Sequence, residues 1–104
     1  MGLAYYLICP ESAEESPRGI FVMDVRSGGA ILWNHRGRSW VYDPGLVTRF
    51  LDDYRNADRY QSVERQVVQG FVRDITGQTA LPDEAAFRAM LAGGAGHQRA
   101  SGGR

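Results

Sequence analysis

Residues 20–42 read IFVMDVRSGGAILWNHRGRSWVY. Two β-rich runs, IFVMDV and AILWN, are joined by RSGG, and a second short turn, HRGR, leads into SWVY. β-Branched and aromatic side chains suit a pleated, half-buried surface, and glycine supplies the left-handed backbone that a tight turn needs. Three runs connected this closely are expected to form an antiparallel meander.

Turn length then sets the faces, because one step of register moves every side chain to the other side of the sheet. A three-residue loop, Ser27-Gly28-Gly29, places Val25 opposite Ile31 and Met23 opposite Trp33. An even loop centred on Arg36-Gly37 places Trp33 opposite Trp40 and Ile31 opposite Tyr42. One face then collects Phe21, Met23, Val25, Ile31, Trp33, Trp40 and Tyr42, which marks it as core. The other carries Val22, Asp24, Leu32, Asn34, Ser39 and Val41. A two-residue first loop would set Asp24 beside Ile31 and Trp33, burying a carboxylate with no evident partner, which is costly. The three-residue loop is preferred on that ground.

Working outward, residues 3–9 are rich in tyrosine and aliphatics and suit a first strand. CPESAEESPRG is acidic, carries two prolines and reads as a solvated loop. After the meander, Asp43 can cap a helix that Pro44 begins, with Leu46, Val47, Phe50, Leu51 and Tyr54 as its apolar stripe. DDYRNADRYQ is polar and is expected to loop out. Ser62 is expected to cap a second helix, with Val63, Val67, Phe71 and Ile75 facing the core and Gly77 as its stop. LPDEAAFRAML suits a third short helix, ended by Gly93. Strands first and helices after predict an α+β fold: an antiparallel meander of three to four strands, with about three C-terminal helices on one sheet face. Residues 1–92 should form a single domain, and the glycine-rich residues 93–104, with nothing to bury, a disordered tail.

The chain has 104 residues, with twelve basic groups balancing twelve acidic ones. That balance argues against a strong pull toward nucleic acid or an anionic membrane. All the basic residues are arginine. Arginine codons are GC-rich and lysine codons AT-rich, which leads to the expectation of a high-GC bacterial source. Chemistry that needs a lysine amine, such as a Schiff base or a phosphate-loop lysine, is excluded. Cys9 is the single cysteine, so no internal disulfide and no cysteine-based zinc site can form. The apolar run LAYYLIC is too short for a signal peptide or a membrane helix, and a cytoplasmic protein is expected.

Catalytic patterns are thin. No His or Cys pair shows metal-ligand spacing, and adjacent Asp52 and Asp53 would point in different directions on a helix. Cys9 in an apolar strand reads as an inert thiol. Gly28-Gly29 opens a strand rather than a helix, so it is a turn and no dinucleotide fingerprint. No catalytic residue, cofactor or metal is expected. Trp33 and Trp40 could form a stacking platform flanked by Arg36 and Arg38, but a cross-strand indole pair needs no ligand to justify it.

By elimination, the chain is expected to be a small non-catalytic interaction domain that docks a protein partner or its own copy. The candidate contact residues are Leu32, Val41 and Val22 on the polar-ringed sheet face, with Arg36, Arg38 and His35 at the hairpin tip. The alternatives are a nucleic-acid module using those tip residues, which overall neutrality disfavours, and an enzyme without a readable motif.

Overall fold

The structure, a computed structural model, describes residues 2–9 and 16–102, with the backbone alone at Tyr54 and at 95–102. Most of the acidic loop, residues 10–15, lies outside the described residues. The architecture is α+β: a five-stranded antiparallel sheet with three α-helices. In chain order these are β1 (Leu3–Ile8), β2 (Gly19–Asp24), β3 (Ala30–Asn34), β4 (Ser39–Tyr42), α1 (Pro44–Asp52), β5 (Tyr60–Val63), α2 (Arg65–Thr76) and α3 (Glu84–Gly102). The spatial order is β4-β3-β2-β1-β5, so the expected count of three to four strands is corrected to five.

This order dictates where the helices go. After β4 the chain must cross to the far edge of the sheet to lay β5 against β1. Four inter-strand steps amount to about 19 Å, and α1 with the 3₁₀ turn Tyr54–Asn56 makes the crossing over one face. Helices α2 and α3 then cover the opposite face. The expectation of all helices on one face is therefore corrected: a crossover connection has to lie on the sheet, and α1 buries Val47 there with Phe50 and Leu51 packed beside it.

Each face has its own core. Beneath α2 and α3 lie Tyr5, Leu7, Ile20, Val22, Ile31 and Trp33, packed with Val68, Val72, Ile75, Leu81, Phe87 and Leu91. Beneath α1 lie Phe21 and Ala30 with Val47, flanked by Tyr6, Ile8, Met23, Leu32, Phe50, Leu51 and Tyr60. Tyr6 stacks on Phe21 with ring centroids 4.6 Å apart, and Phe50 meets Phe21 edge-on at 6.3 Å.

The second hairpin has the expected register, with Trp33 opposite Trp40 and Ile31 opposite Tyr42. The first does not. Val22 pairs with Ile31 and Phe21 with Leu32, across a four-residue loop of Val25, Arg26, Ser27 and Gly28. The shift is odd, so β2 is turned over: Val22 joins the indoles, while Phe21 and Met23 face α1, and Val25 is 67% exposed in the loop. The objection that this parity buries Asp24 is met by position. Asp24 ends the strand, where its carboxylate accepts the Arg26 N–H at 2.9 Å.

Asp43 caps α1 as expected, accepting the Leu46 N–H at 3.0 Å, with Pro44 in the first turn. Residues 60–63, expected to lie in a loop and a helix start, form β5 instead, and α2 begins after Glu64 rather than after Ser62. Its buried residues are Val68, Val72, Ile75 and Thr76, so the expected stripe shifts: Val67 is exposed and Phe71 half-buried. Gly77 ends the helix in the left-handed conformation, its N–H bonded to the Arg73 carbonyl. Arg65 ties the helix start to β1 and to the α2–α3 linker, through Tyr5 Oη at 3.2 Å and the Leu81 carbonyl at 3.4 Å. Asp83 stands just before α3, its carboxylate accepting the Ala86 N–H at 2.8 Å, and the helix backbone continues through Gly93 to Gly102. The helix end expected at Gly93 is thus corrected, and of the expected tail, residues 103–104 lie outside the described residues. Among the described residues no helix is long and apolar enough to cross a membrane.

Candidate functional site

Two places bring the candidate residues together, one on each side of the sheet. The first is a hollow beside α1. Ile8, Phe21 and Leu32 form its floor from β1, β2 and β3, and Leu46, Val47 and Phe50 form its wall from α1. Every lining residue is aliphatic or aromatic, and the hollow holds about 160 Å³. It exists because a helix of nine residues covers only part of a five-stranded face. Leu46, on the wall, is 43% exposed. Val41 sits opposite Leu32 in the β3–β4 register and is half-buried. Val22, the third apolar candidate, is fully buried on the opposite face and leaves the set of surface residues.

The second place is a cleft between the β3–β4 turn and the last turn of α2. Trp33, His35 and Arg38 supply one wall, and Arg73, Asp74, Ile75, Thr76 and Gly77 the other, around about 280 Å³. An adjoining hollow of about 450 Å³ is lined by Pro17, Arg18, His35, Asp74 and Ile75. His35 thus stands at the junction of the two. Its Nε2 donates to the Arg18 carbonyl at 2.7 Å, and because a carbonyl can only accept, that nitrogen carries the hydrogen. Asn34 shapes the turn by accepting the Gly37 N–H at 3.0 Å.

Arg38 closes the turn with φ at 53°, the one non-glycine residue with positive φ among those described. A left-handed conformation costs a residue with a Cβ about 1–2 kcal/mol. The side chain reaches α2, its Nη2 3.3 Å from where a Cβ on Gly77 would stand. Neither Arg38 nor Arg73 has a carboxylate within ion-pair distance among the described residues. Arg36, by contrast, is exposed at the tip and lines neither the hollow nor the cleft.

The indole pair is closed to a stacking ligand. Trp33 is 4% exposed and meets Trp40 edge-on at 5.2 Å, and Trp40 in turn meets Phe87 edge-on at 5.1 Å. A third depression, around Asp53, Arg55, Asn56, Asp58 and Arg59, follows the loop before β5. There the Arg55 guanidinium pairs with Asp53 at 2.9 Å and holds its carboxyl below the usual range. Among the described residues no three His, Cys, Asp or Glu side chains gather in a metal-holding group.

Arg73 and Asp74 were not singled out from sequence, because nothing local says that the end of α2 will stand against the hairpin tip. Leu46, Val47 and Phe50 were read as an apolar stripe, but which face they would cover depends on the crossover. The fold and these two places define a mixed α+β domain with an antiparallel sheet. Compared with known protein families, curated proteins and solved structures, the chain matches none.

Proposed function

We propose that this chain is a non-catalytic interaction domain that docks a protein partner, a second copy of itself included, through the hollow beside α1. The observation that carries the reading is the wholly apolar lining of a solvent-open hollow formed by Ile8, Phe21, Leu32, Leu46, Val47 and Phe50. Its volume of about 160 Å³ is near that of an apolar cavity, about 150 Å³, that accepts a benzene ring. One bulky apolar side chain of a partner fits that space, which is how interface anchors commonly bind. Leu46 stands on the wall of that space, and Val41 lies opposite its floor residue Leu32.

Leu46→Glu and Val41→Glu test this without cutting into either core. Each should leave the circular-dichroism spectrum unchanged and weaken partner capture or self-association at least about tenfold, the effect of removing a central apolar contact. Affinity capture from the native host, and sedimentation of the purified chain, would be compared between wild type, the two variants and Arg36→Ala. Equal capture and equal sedimentation in all four would overturn the reading.

A further inference from the structure

We propose that the cleft between the β3–β4 turn and the last turn of α2 binds the phosphate group of a small phosphorylated ligand. The site is independent of the docking hollow, since it lies on the α2 side of the sheet and the hollow on the α1 side. Two guanidiniums, Arg38 from the hairpin and Arg73 from the helix, line the same space from opposite walls, neither matched by a carboxylate within ion-pair distance among the described residues. His35 stands between this cleft and the adjoining hollow beside Arg18, with Nε2 anchored on the Arg18 carbonyl, which leaves Nδ1 as the ring's other polar atom.

The bland alternative is that the arginines only balance the carbonyl end of α2. A helix C-terminus carries about half a negative charge, while Arg38 and Arg73 bring two full positive ones and Asp74 returns one negative. The local sum stays positive before the groups of the adjoining hollow are counted. A planar carboxylate is satisfied by one guanidinium in its own plane, whereas a tetrahedral dianion takes donors from several directions. Two arginines on separate elements, with a histidine between the hollows, suit the second geometry. The left-handed backbone of Arg38 also sets that guanidinium against the α2 terminus, where glycine would carry no side chain at all.

Amide chemical shifts of the full chain should be followed while inorganic phosphate, O-phosphoserine, acetate or chloride is added at constant ionic strength. Saturable shifts at Gly37, Thr76 and Gly77 are expected with phosphate and O-phosphoserine, and only weak, non-saturating ones with acetate and chloride. Arg38→Ala with Arg73→Ala should reduce phosphate affinity at least about tenfold, and Arg38→Gln alone should reduce it measurably. Asp74→Asn should increase it by about three- to tenfold, the scale of one nearby charge at a protein surface. Arg36→Ala, outside the cleft, should change it little. Shifts that never saturate, acetate binding as well as phosphate, or an unchanged response in the arginine variants would each overturn the proposal.

Discussion

At the scale of single residues, the clearest lesson comes from Asp24. A carboxylate next to a hydrophobic run argues against any register that turns it inward, yet the observed register sets Asp24 on the same side as Val22 and the α2–α3 core. Its cost is relieved because Asp24 is the last residue of β2 and its carboxylate folds onto the turn, accepting the Arg26 N–H. That backbone hydrogen bond, followed by contacts to Ser27, holds the carboxyl below its ordinary value. The sign of the consequence is fixed. A folded-state pKa below the unfolded one contributes stability that is fully present above about pH 4 and is lost as pH falls through the folded value. Urea midpoints should therefore be level near neutrality and fall below about pH 4, with a shallower fall in Asp24→Asn. Identical acid limbs for the two proteins would show that the turn carboxylate carries no linkage.

At the scale of elements, the two neighbouring glycines of α3 have opposite roles. A Cβ built on Gly93 meets nothing within 4 Å, whereas one on Gly94 lands on the Tyr42 side chain, 2.7 Å from its Cβ. Helix α3 crosses β4 at Tyr42, and only a glycine lets the backbone approach that closely. Gly93→Ala should raise stability by about 0.5–1 kcal/mol, because alanine is the better helix former and the space is open. Gly94→Ala should lower it despite the same propensity gain, since a clash near a strand Cβ cannot be relieved by swinging a flexible chain end. Thermal or urea unfolding of the two variants side by side decides the matter, and equal effects would contradict the close crossing. From composition alone these glycines marked the end of a helix. Their role depends on what α3 passes over, which no local pattern reports. β5 escaped notice for a related reason: Tyr60–Val63 is short and mostly polar, and it becomes a strand because β1 offers it an open edge.

At the scale of the whole molecule, the sheet is buried on both sides, and β2 shows it most plainly. Ile20, Phe21 and Val22 follow one another and are all almost fully buried. A run with no polar alternation is the mark of a strand covered on two faces, and this was the available signal for helices on both sides. Two half-cores of this kind should be equally indispensable. Phe21→Ala, on the α1 side, should cost about 3–5 kcal/mol, and Ile31→Ala, on the α2–α3 side, about 2–5 kcal/mol. Chemical denaturation measures both, and a loss under about 1 kcal/mol at Phe21 would mean that the α1 layer is peripheral. The same two-sided plan separates the candidate sites: the apolar hollow opens where the single crossover helix runs out, and the arginine cleft opens where α2 ends against the hairpin.

What the sequence by itself determined is local. The meander, the Trp33–Trp40 pairing, the Asp43 cap with Pro44 behind it and the stop at Gly77 each rest on chemistry within a few residues. What only the tertiary structure decided is which side of each element faces what. The turn-over of β2, the capture of β5 by the free edge of β1, the passage of α1 across the second face and the placing of Arg38 and Arg73 on one cleft all depend on contacts between distant segments. A turn of three or four residues differs little in local energy, so the choice between them falls to the burial of Phe21 and Val22 on two separate cores, a quantity that exists only once the chain has closed on itself.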